Sequence, residues 1–428
     1  MVTSAEIKIW GTTAGYLSLD PGKGDIYFEY EPAFGRTGYE LSPIMQPFER
    51  GRVYYYPEFT DNAAFKGLPG FIADALPDKW GTMLVNRWLS ENGRDKDTYN
   101  VIERLLYQGS RSMGALEFSP ASRKDLEKPF KIEEVDGLVR AAREVLNVRE
   151  DLHVSMDNTE DAIGAILSIG TSAGGSRAKA VVAYNKDTQE IVSGQIDAPD
   201  GFEHYLLKLD GVTNQVLGDP QYFGCIEYAY YRMAVECGID MTECFLLPDG
   251  RRKHFMTKRF DRIGGGHKVH MVSLCGMAHL DFNRPGAYSY EELFGVMRHL
   301  GLPKRDAEQI FRRMVFNVIG RNQDDHTKNF CFLMDRDGKW KLSPAFDMSY
   351  AYNANGGYTA HHQMTINGKN DGFTVSDLLS VAESIHLKNA ETLIADTQTV
   401  FSNIEDFMDK DVPHGIIDSI KASLRLEL

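Results

Sequence analysis

The chain has 428 residues, of which 43% are apolar and 25% are charged, a composition typical of a soluble globular protein with two or three domains. Its formal net charge of −14 opposes a surface that wraps nucleic acid by itself, because such binding needs a basic face. The 5 cysteines form no CxxC pair, and no stretch approaches the roughly 20 apolar residues that cross a bilayer. We therefore expect a cytoplasmic protein with reduced cysteines, no structural zinc site and no membrane association.

Short strand-like runs separated by turns occupy the beginning of the chain. "AEIKIWG", "GYLSLD" and "DIYFEYE" are broken by a turn at 21–24, which predicts a small β-rich subdomain. Helical spacing follows in "FIADALPDKWGTMLVNRWLSENG". We place a boundary near residue 120 and predict a first domain over 1–120.

The middle of the chain mixes a glycine-rich stretch with strands. "TSAGGSRAKA" is followed by a strand "HYLLKLD", a helix "QYFGCIEYAYYRMAVECG" and two strands around the turn at 248–250. Beyond this the pattern is mostly helical, and "RDAEQIFRRMVFNVIG" repeats apolar residues at helical spacing. The predicted domains are 121–262 and 263–428.

The glycine-rich stretch allows two interpretations of Ser172. Gly170 to Gly174 fits G-x-S-x-G, the turn that carries a hydrolase nucleophile, whereas 172–179 could form a loop that cradles phosphate. It is not a Walker A loop, because Ser176 stands where the lysine is required. A hydrolase also needs a downstream acid and histidine on alternating β and α elements, while this region reads as antiparallel and rich in turns.

The stretch "RNQDDHTKNF" carries the strongest signal for chemistry. Asp324 and Asn329 have the D-x-x-x-x-N spacing of a kinase catalytic loop, in which the acid accepts a proton and the amide binds metal. Asp347 ends an apolar run, where a buried carboxylate is costly unless it binds a cation or is fully hydrogen-bonded. Lys208 lies on a strand, and Glu227 on the next helix could pair with it. Alternatively, 321–329 is an exposed polar loop and Glu227 a solvated carboxylate.

Several dispersed motifs together resemble the HipA-type serine/threonine kinase toxins of bacterial toxin–antitoxin systems, over nearly the whole chain. They are "FIADALPDKWGTMLVNRWL", "QGSRSMGALEFSP", "TSAGGSRAKA", "LLKLDG", "MTKRFDR", "DDHTKNF", "LSPAFDM" and "HHQMTING". The resemblance implies an α+β fold with a protein-kinase-like two-lobed core, an N-terminal β-rich subdomain and a mostly helical C-terminal lobe.

The resemblance also implies roles for particular residues. Asp324 matches the catalytic base, Asn329 and Asp347 match the Mg²⁺ ligands, and Ser172 matches a serine whose autophosphorylation ejects the glycine-rich loop. The residues expected to contact ATP are Gly174, Gly175, Ser176, Arg177, Ala178, Lys179, Lys208, Lys258, Arg259, Phe260, His326, Lys328 and Phe346.

The same resemblance implies partners. These are a small helix-turn-helix antitoxin, DNA reached only through that antitoxin, and a protein substrate such as an aminoacyl-tRNA synthetase or another translation component. A pseudokinase that only sequesters a partner stays open as an alternative.

Overall fold

The computed structural model describes residues 1–123, 131–132, 135–147, 177–195, 197–212, 221–264 and 266–428. The chain forms two compact units. The first contains Met1–Leu41, Phe48–Gly224 and Cys244–Met271. The second contains Ser42–Pro47, Cys225–Glu243 and Val272–Leu428.

The first unit begins with a five-stranded sheet in the order β4-β3-β2-β1-β5, in which neighbouring strands are antiparallel. Its strands are β1 (Ser4–Ile9), β2 (Thr12–Leu19), β3 (Ile26–Tyr30), β4 (Val53–Tyr55) and β5 (Leu116–Ser119). The helices of this region are α1 (Gly70–Ala73), α2 (Lys79–Glu91) and α3 (Val101–Gln108). Alternation along β1 buries Ala5, Ile7 and Ile9, so the β-rich start follows from the sequence pattern.

A second sheet in the first unit has the order β10-β11-β9-β7-β8-β6. Its strands are β6 (Lys131–Ile132), β7 (Lys179–Tyr184), β8 (Ile191–Ser193), β9 (Glu203–Lys208), β10 (Cys244–Asp249) and β11 (Arg252–Lys258). All neighbours in this sheet pair antiparallel. The antiparallel pairing expected for this region is therefore confirmed, and this sheet lacks, among the described residues, the parallel strands on which a hydrolase nucleophile turn is built.

The core of the second sheet includes helices from both sides of residue 120. Trp80 of α2 and Leu138 of α4 (Val135–Asn147) are buried with Val182 and Leu207 of the sheet. The indole Nε1 of Trp80 donates to the carbonyl oxygen of Lys179 at 3.0 Å. Helix α2 thus helps to hold the strand that follows the glycine-rich stretch. A small hairpin of β12 (Arg262–Ile263) and β13 (His267–Lys268) follows.

The second unit is mainly helical, as expected from its sequence. Its described elements, with those at its borders, are α5 (Phe223–Glu236), β14 (His270–Ser273), α6 (Leu274–Ala278), β15 (Tyr288–Ser289), α7 (Tyr290–His299), α8 (Lys304–Ile319), β16 (Cys331–Met334), β17 (Trp340–Leu342), β18 (Met364–Thr365), α9 (Val375–Ser384), α10 (Ala390–Ser402) and α11 (His414–Ser423). Ile310, Met314 and Val318 form a buried face of α8, and Phe316 packs against Phe401 with ring centroids 4.8 Å apart. No helix in the described ranges is long and apolar enough to cross a membrane.

Gly194, just after β8, is predicted to be intolerant of a larger side chain. A Cβ atom there would lie 2.4 Å from the carbonyl carbon of Val182, a backbone atom that cannot move without disturbing the sheet. We expect Gly194→Ala to lower the free energy of unfolding by about 2 kcal/mol or more. The control is Gly137→Ala in α4, where nothing lies within 4 Å of the added atom. This substitution should raise the free energy of unfolding by about 0.5–1 kcal/mol. Urea unfolding of both variants measures this, and equal stabilities would contradict the prediction.

The buried His270 is expected to make the free energy of unfolding decrease in acid. Its ring is fully buried, Nε2 lies 2.9 Å from the carbonyl oxygen of Leu41, and burial lowers its pKa to about 4. The unfolded chain, with a pKa of about 6.5, binds more protons between these values, so the free energy of unfolding falls as pH falls through that range. His270→Gln, which keeps a donor but does not titrate, should remove about 2 kcal/mol of the decrease between roughly pH 7 and 5. Urea unfolding at both pH values tests this, and an unchanged decrease would contradict it.

Candidate active site

The loop after helix α8 carries the D-x-x-x-x-N motif. Gly320 follows the helix where a Cβ atom would lie 2.2 Å from Cζ of Phe401. Arg321 then takes the left-handed conformation with φ 57°. Its carbonyl oxygen accepts from the amide of Ala351 at 3.1 Å, and the amide of Gln323 donates to the carbonyl oxygen of Ala351 at 3.1 Å. The loop therefore begins from a fixed backbone.

Asp324 presents a carboxylate to solvent from this loop. Its side chain is 40% exposed, and Oδ1 lies 3.7 Å from Nε2 of His326. Nδ2 of Asn329 donates to the backbone carbonyl oxygen of Asp324 at 2.7 Å. Burial lowers the pKa of His326, and the charge of Asp347 opposes that shift. An accessible carboxylate on an anchored loop can accept a proton from a bound hydroxyl.

The predicted metal ligands Asn329 and Asp347 line one pocket. The pocket is lined by Arg313, Asn317, Asn322, Asp325, Asn329, Phe330, Ala345, Phe346, Asp347 and Met348. Because the amide nitrogen of Asn329 is engaged by the loop, its amide oxygen is the atom suited to a metal. In the described ranges no three His, Cys, Asp or Glu side chains form a complete metal cluster. One carboxylate and one amide fit Mg²⁺, which keeps waters and takes further ligands from phosphates.

Lys208 and Lys179 lie opposite each other on neighbouring strands of the first unit. Nζ of Lys208 is 5.7 Å from the centroid of the Phe255 ring. Nζ of Lys179 instead lies 2.8 Å from Oδ2 of Asp78 in an ion pair whose side chains are 3% and 12% exposed. Asp78 also caps α2 by accepting from the amide of Gly81. In the structure the ammonium of Lys179 is therefore paired with Asp78. A contact of Lys179 with ATP stays a prediction.

The predicted hinge residues have local partners. Lys258 forms an ion pair with Glu203. Arg259 is buried and donates from Nε and Nη2 to the two oxygens of Asp261 at 2.9 and 2.7 Å. Asp261 also accepts from the amide of Gly114 at 2.8 Å. Any contact of this segment with adenine would therefore use backbone groups or Phe260 more readily than the Arg259 guanidinium.

The glycine-rich stretch is described only at its end. Ser172, Gly174, Gly175 and Ser176 lie outside the described residues. Arg177 places its guanidinium carbon 4.1 Å from the centroid of the Phe223 ring. The next residue, Ala178, is buried, and its carbonyl oxygen accepts from the amide of Leu209 at 3.0 Å, so this end of the stretch is fixed to the sheet.

Two further predicted residues have defined surroundings in the second unit. Nζ of Lys328 lies 4.8 Å from the centroid of the Phe282 ring. Glu227 on α5 is 2% exposed, so the interpretation of this residue as a solvated carboxylate is wrong.

Sequence reasoning missed the partners of Asp325. This carboxylate accepts from Tyr290, from His362 and from the amide of Gln363. The doublet of acids and the "HHQ" sequence were visible, but nothing in the spacing indicated that they meet. Asp325 therefore belongs to the site without facing solvent.

The comparisons with known proteins agree with this architecture. The model of the HipA N-terminal domain matches residues 5–119, and the model of the HipA-like C-terminal domain matches residues 171–405. HipA from Shewanella oneidensis, solved with HipB and its operator DNA, superposes with a TM-score of 0.65 at 16% identity and covers 98% of this chain and 95% of that one. The fold is thus the predicted α+β, protein-kinase-like fold. The chain belongs to the HipA family.

Two curated relatives carry names that mark them as candidate kinases. One, from Haemophilus influenzae, is 28% identical over 28% of this chain and 39% of its own length. The other, from Sinorhizobium fredii, is 25% identical over 65% of this chain and 63% of its own length. The chain thus matches less than two thirds of either relative.

Proposed function

We propose that this protein is the serine/threonine kinase toxin of a toxin–antitoxin system, which uses ATP and Mg²⁺ to phosphorylate a protein hydroxyl. The proposal rests on one observation: the loop that carries an accessible acid lies beside a pocket lined by the predicted metal ligands. Asp324 is accessible on the loop, while Asn329 of the same loop and Asp347 line the pocket. Membership of the HipA family supports the same assignment.

In this function Asp324 accepts the proton of the acceptor hydroxyl. The hydroxyl oxygen forms a bond to the γ-phosphorus of ATP while the bond from that phosphorus to the bridging oxygen breaks, so that ADP leaves. Asn329 and Asp347 would hold Mg²⁺ through their side-chain oxygens. The ion neutralises charge that develops on the phosphate oxygens. By resemblance, Lys208 holds the phosphates.

The substrate that we propose is a translation component such as an aminoacyl-tRNA synthetase. Ser172 would be a second acceptor, on the protein itself. A phosphate there adds about −1.5 to −2 charges beside the phosphates of ATP, and repulsion would drive the loop outward. Autophosphorylation would then switch the kinase off.

Incubation with Mg²⁺ and γ-labelled ATP tests the proposal. We expect label to appear on the protein and on proteins of a native-host extract, and mass spectrometry should locate the label within the chain on serine in the 170–180 peptide. A pseudokinase would bind ATP without transferring label. Absence of transfer from correctly folded protein to itself and to the extract would refute the kinase assignment.

The proposed partner is a small helix-turn-helix antitoxin in the cytoplasm, through which the complex would contact DNA. A net charge of −14 disfavours direct binding to phosphates and favours a basic protein partner. Affinity purification from the native host should recover such a partner. Recovery of the isolated chain alone would contradict this part of the proposal.

A further inference from the structure

Two adjacent acids in the catalytic loop have opposite environments. The side chain of Asp324 is 40% exposed, whereas that of Asp325 is 0% exposed. A buried carboxylate is costly unless hydrogen bonds replace its water shell. The hydrogen-bond partners of Asp325 therefore indicate its structural role.

Three donors fix both oxygens of Asp325. Oδ2 accepts from the Tyr290 hydroxyl at 2.9 Å and lies 2.9 Å from Nδ1 of His362. Oδ1 accepts from the backbone amide of Gln363 at 2.8 Å. The contact with Asp325 places a proton on Nδ1 of His362, and the ring packs edge-on against Phe373 with centroids 5.2 Å apart. The carboxylate thus has one orientation.

The network continues back to the start of the loop. The Tyr290 hydroxyl accepts from Nδ2 of Asn317 at 3.1 Å, and Oδ1 of Asn317 accepts from Nδ2 of Asn322 at 2.9 Å. Burial first, and then the negative charge of Asp325, raise the pKa of Tyr290, so its hydroxyl stays protonated as a donor. Asn322 and Asp325 stand on either side of Asp324 in the chain. Helices α7 and α8 and the 361–363 segment consequently hold the backbone on both sides of the accessible acid.

We infer that Asp325 is a positioning residue, which fixes the direction in which Asp324 meets the acceptor hydroxyl. The inference rests on the proposed function for its kinetic consequence. Both oxygens of Asp325 are engaged by Tyr290, His362 and Gln363, and its side chain is fully buried, so its loss should affect turnover more than nucleotide binding.

The test is Asp325→Asn in the full chain. The asparagine amide has a similar size but only one acceptor oxygen, and its NH2 group faces donors that the second carboxylate oxygen had accepted from. These hydrogen bonds are lost, so the loop should become more mobile. We expect kcat for phosphotransfer to fall about 10- to 100-fold, because a small misplacement of a reacting group has an effect of this size, while KM for ATP changes less than about 3-fold. Hydrogen exchange of the 321–330 peptide should accelerate. Tyr290→Phe removes the hydroxyl that donates to Asp325 and accepts from Asn317 but leaves two donors on Asp325, so it should show a smaller change in the same direction.

Asp377→Asn is the matched control. Asp377 is also buried, at 3% exposure, and caps helix α9 by accepting from Thr374 and Lys369. Its replacement should lower Tm without a change in kcat or in exchange of the 321–330 peptide. Unchanged kcat in Asp325→Asn, or equal losses of kcat in both variants, would overturn the inference. If the wild-type protein transfers no phosphate, the proposed function fails. The positioning role is refuted separately if hydrogen exchange of the 321–330 peptide is unaltered in Asp325→Asn and Tyr290→Phe.

Discussion

Asp324→Asn is expected to lower the rate of phosphotransfer about 10²- to 10⁴-fold, the range that a general base contributes. Asparagine cannot accept the proton of the acceptor hydroxyl. The substitution leaves the loop in place, because Asn329 donates to the backbone carbonyl oxygen of residue 324, which asparagine retains. Asn329 and Asp347 are unaltered, so affinity for Mg-ATP should change little.

Single-turnover transfer from labelled ATP measures the rate, and calorimetry measures the affinity for Mg-ATP. Asp337→Asn is the control, since Asp337 is an exposed acid on a turn of the same unit and should have no effect on either quantity. Full transfer by Asp324→Asn would show that another group accepts the proton. A parallel loss of Mg-ATP affinity would place Asp324 at the metal instead.

The fold was predictable where local pattern determines structure. Ile310, Met314 and Val318 repeat at helical spacing and form the buried face of α8, and alternation along β1 indicated a strand. The D-x-x-x-x-N spacing is local too, so it located the loop. The likeness to the HipA family, drawn from dispersed motifs, is confirmed by models that match residues 5–119 and 171–405.

Contacts between distant residues were not predictable. Asp325 and His362 are 37 residues apart, and Trp80 and Lys179 are 99 apart, so no local period connects them. The prediction for Arg259 followed the family motif, whereas the structure pairs its guanidinium with Asp261, two residues further along the chain. The sequence contained a signal for that pairing, because "KRFDR" places a single acid, Asp261, among three basic residues. Burial decides which of these charges face each other, and burial depends on the whole fold.

Asp347→Asn is expected to weaken Mg²⁺-dependent binding of ATP by about 100-fold or more, since even residues that only support metal ligands contribute about 10- to 100-fold to metal affinity. Asp347 has φ 55°, in the left-handed region that asparagine tolerates well. The variant therefore removes the charge and keeps the backbone conformation, which alanine would strain. Asn329 and Phe346 still line the pocket, so the change is confined to the carboxylate.

Calorimetric titration with ATP at several Mg²⁺ concentrations separates the metal from other effects. Wild-type affinity should rise with Mg²⁺ concentration, while that of Asp347→Asn should rise much less, because one of the two proposed protein ligands has lost its charge. Without Mg²⁺ the variant should bind ATP no more weakly than the wild type, because it lacks a carboxylate that repels the phosphates; this comparison serves as the internal control, and the Tm values should agree. If Asp347→Asn retains the wild-type dependence on Mg²⁺, Asp347 is not a metal ligand, and this half-buried acid must then be stabilised by solvent and by hydrogen bonds of the fold.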